Sequence, residues 1–301
     1  MYLIGSLRCH SQHYVPRAEP SLESHPGFSA HHLRRISGVY EINGTRCEKC
    51  RERGVMRTEQ ERLFKRLNDH FVKAFATYHL LEDDDYVLIG LSGGKDSLLL
   101  TELLAKRARI DHPHFKVEAV HVRMKDITYE TSTDYLQRFC DSLNVPLHVI
   151  TTSFSSASAP SLETKPPCFL CSWYRRKTLF YFAQELGCNK IALGHHRDDI
   201  IHTTLMNLIY QGRFGTMPAL LQMRKMPLRI IRPLCLIDEA DIRSYAAMSG
   251  YEKQLKHCPY EHDTQRTAIA HLYEEMEQMN PEARYSIWKA LEQEGKLTEE
   301  Y

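Results

Sequence analysis

The run YVLIG at 86–90 constrains this chain more than any other stretch, because of the turn and helix it leads into. It is apolar and rich in β-branched residues, as a strand buried on both faces requires. It passes without a linker into LSGGKDS (91–97) and then into SLLLTELLAKRAR (97–109), which has the composition of a helix. A buried strand, a turn with two adjacent glycines and a helix make the first part of a βαβ unit. Such units stack side by side, so the rest of the chain should alternate in the same way.

It does. KVEAVHVRM (116–124) reads as a strand, 133–143 as a helix and LHVIT (147–151) as a strand. CFLCSWYRRKTLFYFAQELG is helical after Cys171. KIALG (190–194) is a strand, 198–212 a helix, LRIIRPL (228–234) a short strand and 238–250 a helix stopped by Gly250. The expected fold is α/β, a parallel sheet with helices on both faces, preceded by an N-terminal helix (59–81) and followed by a C-terminal helical segment (about 263–293). Right-handed crossovers place every strand's C-terminal end on one edge, and ligands of such sheets bind there. Three regions result: an N-terminal extension, 1–55; an α/β domain, 56–250; and the C-terminal segment, 251–301. The extension holds five histidines in its first forty positions and no sustained periodicity, so disorder is expected. No apolar run approaches the roughly 18 residues of a membrane helix and no secretory signal is visible, so a cytoplasmic protein with no membrane partner is expected.

A strand–glycine–helix turn gathers backbone N–H groups at a helix N-terminus, where they cradle phosphate. Gly93 and Gly94 permit close backbone approach, Ser92 and Ser97 offer hydroxyls, and Lys95 supplies charge. The adjoining glycines and the acid after the lysine, Asp96, set the string apart from the GxxxxGK[ST] loop. The alternative is a structural turn with a well-capped helix. A second string, GHHRDD (194–199), also ends a strand and starts a helix. Asp198 and Asp199 serve there either as caps or in Mg²⁺ binding and acceptor positioning, with Asp198 the preferred candidate. His195 and His196 can line the site or be structural.

Formal net charge is +1, but basic residues come in blocks. Lys165, Arg175, Arg176 and Lys177 fall in an acid-free stretch between Glu163 and Glu185; Arg213, Arg224, Lys225, Arg229 and Arg232 fall in another from Ile200 to Ile237. These are either solvated surface or a face for phosphates. Nine cysteines with no signal peptide argue against disulfides. Cys140, Cys188 and Cys235 sit in apolar surroundings and read as core. Cys47 and Cys50 (CEKC) make half a zinc site with no second pair nearby. Cys168 and Cys171, with Cys258 in KHCPYEH, leave three readings open: inert thiols, structural zinc with His257 or His262 as fourth ligand, or an iron–sulfur cluster held by three cysteines with one iron open to sulfide.

SGGKDS matches the PP-loop pattern SGGxDS of the ATP pyrophosphatase superfamily, whose fold is of the adenine nucleotide alpha-hydrolase kind. In order, SGGKDS, CFLCSWYRR, LGHHRDD, NLIYQGRFGTMP (207–218) and IRPL (231–234) resemble the tRNA 2-thiocytidine synthetase family over about 57–270. The resemblance implies ATP split to AMP and pyrophosphate, Mg²⁺, and a 4Fe-4S cluster on Cys168, Cys171 and Cys258. It implies replacement of the 2-oxygen of an anticodon-loop cytidine in tRNA by sulfur that a cysteine desulfurase or another donor supplies. Ser92, Gly93, Gly94, Lys95, Asp96, Ser97, Val122, Gly194 and His195 would bind ATP. Lys95, Asp96, Asp198, Asp199, Cys168 and Cys171 would carry catalysis. Arg175, Arg176, Arg213, Arg224 and Lys225 are the candidates for tRNA phosphates. The C-terminal helices are expected either to cover the cysteine site or to pair two chains as a homodimer. One departure stands out: Glu261 occupies the place of the family's second C-terminal cysteine. A 2-thiouridine-forming enzyme remains an alternative. So does a PP-loop enzyme passing lysine or ammonia to an adenylated carbonyl, or a zinc-dependent RNA-binding module without ATP turnover.

Overall fold

The structure is a computed structural model that describes residues 35–36, 39–42, 45–46, 58–129, 132–153, 166–253, 255–257 and 264–299. It divides into two units, Met1–Met56 and Arg57–Tyr301. In the first, β1 (Arg35–Ile36), β2 (Val39–Ile42) and β3 (Thr45–Arg46) form a small antiparallel sheet. Strands of two to four residues are too short to leave a period in the sequence. Cys47 and Cys50 lie outside the described residues.

The second unit opens with α1 (Glu59–Tyr78). Thr58 starts it with a reciprocal cap: its hydroxyl accepts the Glu61 N–H at 3.2 Å while the Glu61 carboxylate accepts the Thr58 N–H at 2.8 Å. Leu63, Leu67, Phe71, Ala74 and Tyr78 fall three or four residues apart and are all buried. Next come β4 (Asp85–Gly90), α2 (Lys95–Arg107), β5 (Phe115–Met124), β6 (Thr128–Tyr129), α3 (Asp134–Leu143), β7 (Leu147–Thr152) and α4 (Pro167–Glu185). The second half runs β8 (Lys190–Ala192), α5 (Arg197–Gln211), β9 (Leu220–Gln222), β10 (Arg229–Ile231), α6 (Glu239–Met248), β11 (Lys256–His257), α7 (Thr264–Met279), α8 (Ala283–Gln293) and β12 (Thr298–Glu299).

Seven strands form one sheet in the order β12-β9-β10-β8-β4-β5-β7. β10, β8, β4, β5 and β7 are mutually parallel, as the alternation requires. Strand β9 is antiparallel to β10, a hairpin that the sequence does not signal. β4 sits between β8 and β5, so the glycine turn leaves the sheet at its centre. Its side chains alternate: Val87 and Ile89 pack into the layer built on α1, α2 and α6, and Leu88 packs with Leu179, Ala183 and Ile191 under α4. The C-terminal helices pack on α5 through Ile201, Leu205, Ile269 and Tyr273. Cys140, Cys188 and Cys235 are core residues, their thiols pushed up to about 12 by burial. No described helix is long and apolar enough to cross a membrane.

One boundary differs. The helix carrying the paired cysteines begins at Pro167, ahead of both of them, where it was expected only after Cys171. Proline at the first helical position lacks only an N–H that would have no partner there, so it starts a helix well.

Candidate active site at the central glycine turn

The turn is built by its own hydroxyls. Gly93 takes φ of 84°, which a side chain would disfavour. Ser97 is buried; its Oγ accepts the Gly93 N–H at 3.2 Å, donates to the Gly94 carbonyl at 2.9 Å and sits 3.0 Å from the Ser92 hydroxyl. Ser97 therefore staples the loop from within, while Ser92 is exposed at its rim. Gly94 precedes α2 in extended conformation with no side-chain cap, which leaves that helix N-terminus to a ligand.

Lys95 lies 3.0 Å from the Glu239 carboxylate and 3.2 Å from Asp96. Burial alone would lower its pKa, but those two acids outweigh burial and raise it, so the ammonium stays charged. Burial is the largest influence on Asp96 and raises its carboxyl above the ordinary value, against the pull of Lys95 and His196.

GHHRDD enters from the neighbouring strand. A Cβ on Gly194 would stand 3.1 Å from the Asp96 carbonyl carbon and the Ser97 nitrogen. Glycine there lets the end of β8 lie against the first turn of α2. His196 caps α5: its Nδ1 accepts the Asp199 N–H at 3.4 Å and Asp199 accepts the His196 N–H at 3.2 Å. Its Nε2 lies 3.3 Å from Asp199 and 3.9 Å from Asp96. Burial opposes a charge on this ring, yet the three aspartates around it raise its pKa. Asp198 is more enclosed than its neighbour. Its Oδ2 accepts the Glu239 N–H at 2.7 Å, which caps α6, and its Oδ1 faces Arg284 at 3.7 Å. Burial would push its carboxyl up, but His196, that N–H and Arg284 hold it at about 2. Asp199 and Asp96 keep more of their carboxylates open, with side-chain exposures of 27% and 28% against 10% for Asp198. Burial, reinforced by Arg232, drops His195 to about 4.

A cavity of about 310 Å³ opens beside the turn. Gly90, Leu91, Ser92 and Gly94 line one side; Val120, His121 and Val122 at the end of β5 line another; Arg175, Arg176 and Leu179 of α4 line a third. Both arginines are candidates for tRNA phosphates, and the fold brings them to the glycine turn. Val122 lines the cavity; Gly194 and His195 do not. Arg213, Arg224 and Lys225 are exposed, beyond α5 and around the β9–β10 hairpin.

Cys168 is exposed and Cys171 half-buried in the first turn of α4. Three residues apart on a helix, they share a face, and Cys171 shares one with Arg175 four residues on. Cys258, His262 and Glu261 lie outside the described residues, as does the side chain of His257. Among the described residues no group of three or more His, Cys, Asp or Glu is arranged to hold a metal ion.

Residues 59–272 match the family model of the PP-loop domain. Over 233 residues the chain is 34% identical to a tRNA-cytidine(32) 2-sulfurtransferase from Acinetobacter baumannii, covering 77% of each protein. The chain belongs to the tRNA-cytidine(32) 2-sulfurtransferase family. The relative of that name from Teredinibacter turnerae is likewise 34% identical, over 78% of each protein. A solved structure, the U34-tRNA thiolase NcsA from Methanococcus maripaludis with its 4Fe-4S cluster, shares the fold with a TM-score of 0.63 and 24% identity, covering 78% of this chain and 79% of that one. In this 2-sulfurtransferase-family chain the PP-loop is thus the turn at the centre of the sheet. Three site residues escape motif reading: His121, hidden in an apolar strand, Glu239, which looks like an ordinary helix-start acid, and Arg284, which lies beyond the matched span.

Proposed function

We propose that this protein thiolates tRNA at the expense of ATP, replacing the 2-oxygen of an anticodon-loop cytidine with sulfur. The observation that carries the proposal is the common cavity: the PP-loop on one wall, and on another the helix whose first turn holds Cys168 and Cys171.

ATP would lie with its phosphates at the uncapped start of α2 and its adenosine along β5 near Val122. Cytosine O2 attacks the α-phosphorus, the bond to pyrophosphate breaks, and an adenylated base forms. Lys95 exchanges Glu239 and Asp96 for the departing pyrophosphate, whose charge it neutralises. Arg175 and Arg176 hold the nucleotide or the target strand against the cavity. The more open carboxylates of Asp199 and Asp96 suit a hard, oxygen-seeking cation, and Mg²⁺ would be held there with phosphate oxygens.

Two thiols on one face of a helix N-terminus form a soft donor pair. They fit a 4Fe-4S cluster, with Cys258 as third ligand. When bound, the cluster would supply an open iron site for sulfide. A cysteine desulfurase with a thiol reductant, or another sulfide donor, supplies that sulfide in the cytoplasm. Sulfide adds at C2 and AMP leaves with its oxygen as the C2–O bond breaks.

Cys168→Ser and Cys171→Ser should abolish thiolation of tRNA by the reconstituted protein with ATP and sulfide, yet leave ATP affinity within about twofold. Retained thiolation in both variants would end the assignment of the cysteines.

A further inference from the structure

His121 stands near the end of β5 and is 2% exposed. Its Nδ1 lies 2.7 Å from the Leu91 carbonyl oxygen. A carbonyl can only accept, so Nδ1 carries the hydrogen. In the neutral ring Nε2, on the opposite edge, is then a bare acceptor. Burial keeps the ring neutral: it lowers the pKa, and although the Leu91 carbonyl opposes this, nearby Arg175 and Arg123 reinforce it. Nε2 is buried with no hydrogen-bond partner in the protein. A buried acceptor left unpaired carries a desolvation cost that a suitable donor removes.

The same residue lines the cavity beside the PP-loop, together with Ser92, Gly94 and Val122. Arg175 lines it too. An acceptor at this point cannot bind phosphate oxygens, which are acceptors themselves. It can bind the amino group of adenine or cytosine, or a ribose hydroxyl. We propose that His121, through Nε2, is a nucleoside-reading residue that accepts a hydrogen bond from an amino or hydroxyl donor of the nucleotide in this cavity. The donor belongs either to ATP or to the target cytidine; uridine, with an acceptor at position 4, offers nothing in place of the cytosine amino group.

The proposal rests on the assignment of this cavity to ATP, and the test separates the two. Binding of ATP, ITP and 2′-deoxy-ATP to the full-length protein is measured by calorimetry for wild type, His121→Phe and His121→Gln. Failure of the wild type to bind ATP would remove the nucleotide site itself. With binding established, His121→Phe, which keeps a ring but no acceptor, should bind ATP about tenfold more weakly, and His121→Gln, which restores an acceptor, should recover part of the loss. A loss that vanishes with ITP identifies the adenine amino group, and one that vanishes with 2′-deoxy-ATP identifies the ribose. Unchanged ATP affinity with a tenfold fall in kcat/KM for tRNA identifies the target cytidine. Should the variants fail to fold, wild-type protein carrying ¹⁵N-histidine gives the answer: the His121 Nε2 resonance should move when ATP or tRNA is added. Unchanged affinity and turnover in His121→Phe, or an Nε2 resonance indifferent to both ligands, overturns the proposal.

Discussion

At the scale of single residues, the site depends on contacts that tolerate little change. Gly194 touches the backbone of α2, not a flexible side chain, so Gly194→Ala must displace the first turn of the PP-loop helix. Overpacking of this kind costs about 1–3 kcal/mol. The variant should melt at lower temperature and bind ATP several-fold more weakly by calorimetry; unaltered affinity would separate this glycine from the loop. Asp198 gives a pH signature. Its carboxyl is held at about 2 against an ordinary 3.8. A depressed carboxyl stabilises fully above its unfolded value and loses that contribution as the pH falls from 3.8 through about 2. Asp198→Asn should therefore be less stable near neutrality and lose less stability across that acid window in urea unfolding. Equal acid slopes for both proteins would contradict the assigned contacts. Motifs located these residues but not their tasks. Ser97 reads as a ligand hydroxyl and Asp198 as either a cap or a ligand; in the fold the Ser97 hydroxyl ties the loop and Asp198 accepts the first N–H of α6. Which neighbour takes up a lone pair is decided by tertiary contacts between residues far apart in sequence.

At the scale of elements, regularity decided what could be read. Five parallel strands and the helices between them were legible because buried strands make continuous apolar runs and amphipathic helices repeat every three or four residues. In the second unit the strands that escaped notice, β6, β9, β11 and β12, are two or three residues long and define no period. The path of α4 was half legible. Its basic stretch was visible in YRRK, but a sequence does not say which helix face meets the sheet, so the place of Arg175 and Arg176 on the cavity wall could not be read. The pair Lys190 and Asp85 was invisible for the same reason. Both open their strands, at the sheet edge opposite the PP-loop, with side chains 1% and 2% exposed and 2.7 Å apart. Asn189 and the Glu82 N–H complete the hydrogen bonding of Asp85. Lys190→Met leaves a buried carboxylate uncompensated and should cost about 3–5 kcal/mol in denaturant unfolding. ATP affinity of the folded fraction should not change, because the pair lies at the far edge.

At the scale of the whole molecule, the architecture gathers the chemistry onto one edge of one sheet. β4 delivers the PP-loop at the centre, β8 delivers the aspartate pair beside it, β5 supplies the His121 and Val122 wall, and α4 crosses above with its cysteines at the near end. The C-terminal helices are part of the same device. Arg284 of α8 reaches Asp238 at 2.7 Å, Glu277 at 2.8 Å and Asp198 at 3.7 Å, which ties the end of the chain to the aspartate that caps α6. Glu239, the first residue of α6, in turn holds Lys95. The central claim is that this assembled edge converts cytidine to 2-thiocytidine in tRNA. It is tested most directly by nucleoside mass spectrometry of total tRNA from the source organism, with and without the gene. Loss of 2-thiocytidine with 2-thiouridines intact is the expected result, and restoration by the wild-type gene but not by Cys171→Ser should accompany it. An unchanged level of 2-thiocytidine in the deletion strain would contradict the account.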